Sequence, residues 1–295
     1  MNKRSYVLVV NLKSRKASLA IDEFTKEFKA RKIKIKILKV KNPARINFSL
    51  QKALDLNPDV IVLGGGDGTL ISGIEYLVKK NYKKSIGFLP LGTANYLVRN
   101  LEIPLTVPES VDVLLKGKVL EIPIGIANDK YFALTFVVGL TQAVSENVSD
   151  GLKKKIGQVA YLLELFKQST QHKPFQYRIE SPDLKKPVTG VCHQLVVYNS
   201  DLNQQLKLVP DHQLTKHTLK VVISNTGTSK IKMFIGFFVH IATFGKKRPY
   251  MKVFEASSLK ITTDPELPAD FDGETYGKSP FDITMLKRKI RVIAN

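Results

Sequence analysis

The run Leu63-Gly64-Gly65-Gly66-Asp67-Gly68-Thr69 constrains this chain more than any other stretch. An apolar segment, Asp59-Val60-Ile61-Val62-Leu63, leads into it. Leu70-Ile71-Ser72-Gly73-Ile74-Glu75-Tyr76-Leu77-Val78, with helical spacing, follows. Strand, glycine turn and helix start are the parts of a phosphate cradle. Glycine lets backbone N–H groups approach an anion closely, and the helix N-terminus adds orphan donors and a favourable dipole. Gly64, Gly65, Gly66, Gly68 and Thr69 are therefore candidate phosphate contacts. Asp67 would repel phosphate unless a metal ion or a reacting proton occupies it. That marks it as a candidate general base or magnesium-associated carboxylate.

A second apolar run, Ser85-Ile86-Gly87-Phe88-Leu89, ends in Pro90-Leu91-Gly92-Thr93-Ala94-Asn95 and leads into Tyr96-Leu97-Val98-Arg99-Asn100-Leu101. Two such turns after successive strands would lie side by side at the carboxyl edge of a parallel sheet, where α/β folds bind ligands. Thr93 and Asn95 can offer donors to a nucleotide or cap the helix, since both tasks need the same residue types. Asn11, Ser14 and Arg15 follow the first strand and open onto the same edge. Arg15 is suited to a charge-assisted bond with phosphate, or to solvation in a loop.

Strands alternate with helices through the first third of the chain: 5–10, 21–28, a strictly alternating edge strand at 32–37, 48–56, 59–63, 70–80, 85–89, 94–101 and 110–116. This rhythm predicts a doubly wound, Rossmann-like α/β domain over 1–118. Beyond it, strand-like segments at 119–126, 131–138, 175–180, 190–198, 218–224, 251–254 and 258–263, with helices near 152–170 and 230–244, predict a second, mainly antiparallel β domain over 119–283. The last strand, Lys289-Ile290-Arg291-Val292-Ile293, has no sequence-local partner.

The chain carries 46 Lys+Arg against 26 Asp+Glu, a formal charge of +20 over 295 residues, which favours anionic partners. No zinc spacing and no nucleic-acid-binding motif accompanies the charge, so nucleic acid is not an expected partner. Cys192 is the single cysteine, which excludes a disulfide within the chain and fits a reducing compartment. The apolar run at 6–10 is too short for a signal-peptide core. The longest, 233–244, falls short of the ~20 residues that span a bilayer. The expected location is cytoplasmic, or peripheral at the inner membrane face.

GGGDGT followed by PLGTANYLVRNLEIP resembles the diacylglycerol kinase catalytic-domain family of bacterial lipid kinases and sphingosine kinases. Residues 11–15 resemble that family's first nucleotide loop. Asn128-Asp129-Lys130-Tyr131-Phe132 and residues 153–161 resemble its middle region, and Phe271-Asp272-Gly273-Glu274 its C-terminal acidic motif. The resemblance implies an ATP-dependent lipid kinase using Mg-ATP, with diacylglycerol or a related lipid as acceptor. It also implies that the chain's end, about 284–295, returns to the first domain, and that the active site lies in a cleft between domains. Asp272 and Glu274 are linked to catalysis by this resemblance. If 271–274 is extended, the two carboxylates face one side, where they could hold magnesium or raise one another's pKa. Otherwise they form an acidic surface turn.

The departures from the family concern the acceptor half. Leu70-Ile71-Ser72 replaces Leu-Asn-Glu, Tyr96 replaces an Asp, and Pro123 stands where an Asp is common. Asn203-Gln204-Gln205-Leu206-Lys207 replaces a glycine-rich loop before Pro210. Thr215-Lys216-His217 replaces the Asp-Asp-Gly of a structural magnesium site, so no metal is expected at Lys216. Two alternatives stay open: a soluble-metabolite kinase of the NAD-kinase type, and a nucleotide- or lipid-binding regulator that has lost catalysis. Lys153, Lys154, Lys155, Lys246, Lys247 and Arg248 flank the two apolar helices, so an anionic membrane surface is the expected peripheral partner.

Overall fold

The computed structural model describes residues 4–13, 17–139, 173–199, 218–224 and 249–295, with 227, 229, 231, 232, 235, 236, 239 and 247. Ser14, Arg15, the helix expected near 152–170, most of that expected near 230–244, most of their flanking basic residues, and Thr215-Lys216-His217 lie outside the described residues. The chain divides into two compact units, Met1–Pro123 with Lys287–Asn295, and Ile124–Leu286.

The first unit is built from β1 (Tyr6–Asn11), α1 (Ala17–Ala30), β2 (Ile35–Val40), α2 (Ile46–Asp55), β3 (Val60–Gly65), α3 (Asp67–Lys79), β4 (Ser85–Pro90), α4 (Tyr96–Asn100), α5 (Val107–Lys116) and β5 (Lys118–Ile122). The chain's last strand, β18 (Ile290–Ala294), completes the sheet in the order β2-β1-β3-β4-β18-β5. β2, β1, β3, β4 and β18 run parallel and β5 antiparallel. The C-terminal strand thus returns to the first unit, as the family resemblance implies. Strands β1 and β3 read as unbroken apolar runs because both faces are covered. α1 packs with α5, and α2 with α3. Right-handed crossovers put α1 and α2 on opposite faces, because the strand order reverses at β1. Lys36 and Lys39 stay exposed on β2, the edge strand, which disfavours pairing with another chain. In the core, Phe24 and Phe28 stack at 4.7 Å, and Tyr6 meets Phe28 edge-on at 5.3 Å.

The second unit holds β6 (Gly125–Ala127), β7 (Lys130–Phe132), β8 (Thr135–Gly139), β9 (Phe175–Glu180), β10 (Val188–Cys192), β11 (Gln194–Tyr198), β12 (Leu219–Ser224), β13 (Met251–Ala256), β14 (Ser258–Asp264), β15 (Ala269–Phe271), β16 (Glu274–Tyr276) and β17 (Phe281–Met285). They form two six-stranded sheets, β10-β9-β14-β17-β6-β7 and β13-β12-β11-β8-β15-β16. Their pairings are antiparallel, and one apolar cluster draws on both sheets. Phe136 meets Phe281 of the other sheet at 4.9 Å and Phe271 of its own at 5.2 Å, both edge-on.

Three segments that read as single strands are each two. Residues 119–126 break at Pro123, which lacks an N–H, so β5 joins the first sheet and β6 the second unit. Residues 131–138 bend at Ala133 and Leu134, and 190–198 bend at His193, where the chain passes from one sheet to the other.

Candidate functional site

The glycine turn expected to cradle phosphate lies at the switch point of the first sheet, where β1 and β3 lie side by side and their connections leave in opposite directions. Gly66 is the N-cap of α3, and Asp67 is the helix's first residue. The glycines have distinct reasons. A Cβ on Gly65 would lie 2.5 Å from Thr69 Cβ, and one on Gly92 would lie 2.6 Å from Gly66 Cα. The two turns therefore touch backbone to backbone, and no side chain fits between them. Gly68 is different: a Cβ there would meet nothing within 4 Å. It faces open space on the first turn of the helix, where N–H groups lack helical partners.

Further bonds fasten the two turns. The Leu91 N–H donates to Gly65 O at 2.8 Å, and the Leu97 N–H donates to Asp67 Oδ1 at 3.1 Å. Asn11 Nδ2 donates to Thr69 Oγ1 at 3.0 Å, joining β1 to the helix start, and Asn11 Oδ1 accepts the Lys13 N–H at 3.0 Å. Asn95 is 4 % exposed, with φ 52°. Its Oδ1 accepts the Gly92 N–H and its Nδ2 donates to Gly92 O, both at 2.9 Å. Asn95 thus clamps the second turn rather than capping α4 with its side chain. Thr93 is exposed beside it, as is the ring of Tyr96.

The acidic motif of the second unit is not extended. Asp272-Gly273 is a two-residue turn joining β15 to β16, with Phe271 paired to Glu274 and φ values of 53° and 96° at the two turn residues. Asp-Gly is the dipeptide that such a type I′ hairpin favours. The expectation that Asp272 and Glu274 share one side of a strand is therefore corrected: one is in the turn and the other begins the next strand. Asp272 Oδ2 accepts the Ala133 N–H at 2.6 Å. Its Oδ1 accepts the Leu134 N–H at 2.9 Å and the Thr135 N–H at 2.7 Å. The residue is only partly buried, but its carboxyl group is enclosed by the bend between β7 and β8. Burial pushes this carboxyl up to about 7, against the three N–H donors that pull it down, and the neighbouring Asp270 carboxylate adds to the rise. Asn199, fully buried, holds the bend from behind: its Nδ2 donates to Ala133 O and its N–H to Leu134 O, both at 2.8 Å. Glu274 is exposed and pairs with Lys130 Nζ at 3.4 Å, while Tyr276 Oη donates to Asp129 Oδ2 at 3.1 Å.

The donor set for magnesium can be tested on these contacts. Asp67 carries an N–H, Asp272 carries three, and Glu274 faces an ammonium group. Among the described residues, no three His, Cys, Asp or Glu side chains converge on one point. Within the second unit, Asp272 and Glu274 do not fit a shared cation. The glycine turns do fit phosphate oxygens, through the open face at Gly68.

Sequence reasoning missed the N–H groups of Ala133, Leu134 and Thr135, together with Asn199 and Asp270. Backbone donors have no residue signature. The Asp-Gly dipeptide is the one signal that could have revealed the turn.

A doubly wound α/β unit with two touching glycine turns is thus followed by an antiparallel β unit whose Asp272-Gly273 turn carries an enclosed carboxyl group. Residues 5–127 match the family described as diacylglycerol kinase catalytic domain. Residues 135–294 match the YegS C-terminal NAD kinase beta sandwich-like domain. The diacylglycerol kinase of Staphylococcus saprophyticus is 29% identical over 244 residues, 82% of this chain and 78% of its own. That of Staphylococcus aureus is 28% identical over 247 residues, 83% and 77% of the two chains. A Bacillus anthracis crystal structure matches with a TM-score of 0.83 at 20% identity, over 100% of this chain and 99% of the other. A crystal structure of a diacylglycerol kinase from the same organism matches with a TM-score of 0.77 at 21% identity, over 99% and 97%. At these identities the structural likeness establishes the fold. The chain belongs to the family that joins a diacylglycerol kinase catalytic domain to a YegS C-terminal domain, and it is a kinase.

Proposed function

We propose that this kinase transfers the γ-phosphoryl group of ATP to the hydroxyl of diacylglycerol or a closely related lipid. The observation that carries the reading is the pair of glycine turns, touching at Gly66 and Gly92 and open at Gly68. In this reading the first unit holds the donor: the α3 N-terminus, the cradle glycines, Thr69 and Asn11 bind the triphosphate, with Ser14 and Arg15, which follow β1 in the sequence, as further contacts. Asn95 shapes the second turn, and Thr93 offers it a hydroxyl. Asp67 latches the two turns by accepting the Leu97 N–H.

Asp272 is the base. Two N–H groups fill Oδ1 and one falls on Oδ2, so one of the roughly four acceptor positions of a carboxylate remains, on Oδ2. A base poised near neutrality is suited to take the acceptor's hydroxyl proton as its oxygen attacks the γ-phosphorus and ADP leaves. The three N–H donors hold the group in place for that single event. Glu274 orients the hairpin through Lys130. No step is assigned to a metal held by these carboxylates.

The acceptor belongs in a membrane. The charge of +20 suits an anionic bilayer surface, where each Lys or Arg near the surface contributes about 1 kcal/mol. Among the described residues, no helix is long and apolar enough to cross a membrane. The protein should bind vesicles containing phosphatidylglycerol, bind neutral vesicles weakly, and be released by salt. Equal binding to both, or none to either, removes the electrostatic part of the reading. Incubation with labelled ATP and a total lipid extract tests the acceptor: label is expected in the organic phase. Label confined to a water-soluble metabolite would move the assignment to a soluble acceptor.

A further inference from the structure

We propose that Asp270 is a positioning residue that holds the Asp272 carboxylate on the Ala133–Thr135 N–H groups; this rests on the reading of Asp272 as the base. Asp270 is a carboxylate with 6 % exposure, on a strand of three residues, and the chemistry above gives it no role. Its Oδ1 accepts the Gly273 N–H at 2.7 Å, bridging across Asp272 from the strand before the turn to its second residue. The bridge encloses the one non-glycine residue of the turn, whose left-handed backbone is not the one an L side chain prefers. Asp272 is also tied by its own N–H, which donates to Thr135 O at 3.0 Å.

These contacts make a frame with two halves. Asn199 fixes the bend that carries the three donors, and Asp270 fixes the turn that carries the acceptor. β15 is itself registered on β8, with Asp270 opposite Val137 and Phe271 opposite Phe136, so the turn has a rigid base. Two other pairs of polar side chains in this corner meet at the hairpin tips: Lys130 with Glu274, and Tyr276 with Asp129. Asp270 is buried, and it accepts a bond from the turn's own backbone. Rate is sensitive to such placement, since about 1 Å of displacement can cost roughly 100-fold.

The test compares Asp270→Asn, which keeps an Oδ1 acceptor for Gly273, with Asp270→Ala, which removes it. Transfer from ATP to a long-chain diacylglycerol in mixed micelles gives kcat and the KM for ATP. Asp270→Ala should lower kcat by about 100-fold, with the KM for ATP and the circular dichroism spectrum unchanged. Asp270→Asn should retain kcat within about fivefold. Amide proton shifts give a readout free of the acceptor. The Ala133, Leu134 and Thr135 resonances, moved downfield by the carboxylate, should lose that shift in Asp272→Asn and Asp270→Ala and keep it in Asp270→Asn. Should Asp270→Ala not fold, Asp270→Ser, too short to reach Gly273, is held to the same outcomes. A wild-type rate and unchanged amide shifts in the truncated variant would overturn the proposal, as would equal impairment of the Asn variant. If Asp272→Asn keeps the wild-type rate, it is instead the base assignment that fails.

Discussion

Gly68→Ala separates the stability of the cradle from its use. Gly68 is the second residue of α3, its φ lies outside the left-handed region, and a methyl group there meets nothing within 4 Å. Where the native backbone suits alanine, the substitution removes freedom from the unfolded chain and stabilises by about 0.4–1 kcal/mol. The folded protein should therefore melt slightly higher, by about 1–3 °C for a chain of this size. If a phosphate oxygen sits over the helix N-terminus, however, the methyl group competes with it. Overpacking of this kind costs about 1–3 kcal/mol, or roughly 5- to 150-fold in kcat/KM for ATP. Gly73→Ala is the control. A Cβ there lies 2.8 Å from Leu63 Cδ1, so it should lower the melting temperature by crowding the core. Calorimetry and initial-rate kinetics on the two variants decide the matter. A Gly68→Ala protein that is more stable and binds ATP as wild type would refute the placement of the triphosphate.

Gly92→Ala should reduce both folding stability, by about 1–3 kcal/mol, and ATP binding, because its Cβ would lie 2.6 Å from Gly66 Cα; isothermal titration and thermal melts read the two effects. Asp67→Ala, which removes the acceptor of the Leu97 N–H, should lower both transfer and the melting temperature, and retention of most of the wild-type rate would remove its assigned role as a latch. Asp272→Asn should cost about 100-fold or more in kcat. In the wild type, kcat/KM should fall as pH drops through about 7, because protonated Asp272 cannot accept the hydroxyl proton; a flat profile down to pH 5 would contradict this. The same raised carboxyl disfavours the ionised fold, so the stability contribution of Asp272 should be lost as pH rises toward and past 7. Cys192 is fully buried, and burial pushes its thiol up to about 12, so native protein should resist iodoacetamide at pH 8 and react once unfolded.

The first unit was legible because each of its signals is local. Apolar runs mark the buried strands, and the alternation Lys34-Ile35-Lys36-Ile37 marks an edge, where β2 indeed lies. Two glycine turns one strand apart mark adjacent crossovers. The return of β18 was not legible from periodicity, since a lone terminal strand carries no label for its partner; the family resemblance supplied it. The second unit was legible as antiparallel but not strand by strand. β15 and β16 are three residues each, too short for a period to show, and the bend at Ala133-Leu134 looks like continuous strand because both residues are apolar. Asp272 was found by its motif, but its environment was not. The donors that hold it come from 137 to 139 residues away in the chain, and they are backbone groups.

In the function proposed above, the open glycine turns and the Asp272 carboxylate serve one phosphoryl transfer to a lipid. The most direct measurement is transfer of label from γ-labelled ATP to diacylglycerol in mixed micelles by wild type, Gly68→Ala and Asp272→Asn. The expected result is a labelled phospholipid with wild type, a reduced yield at low ATP restored at high ATP with Gly68→Ala, and a yield lowered at every ATP concentration with Asp272→Asn. No labelled lipid from wild type, or equal labelling by all three proteins, would contradict it.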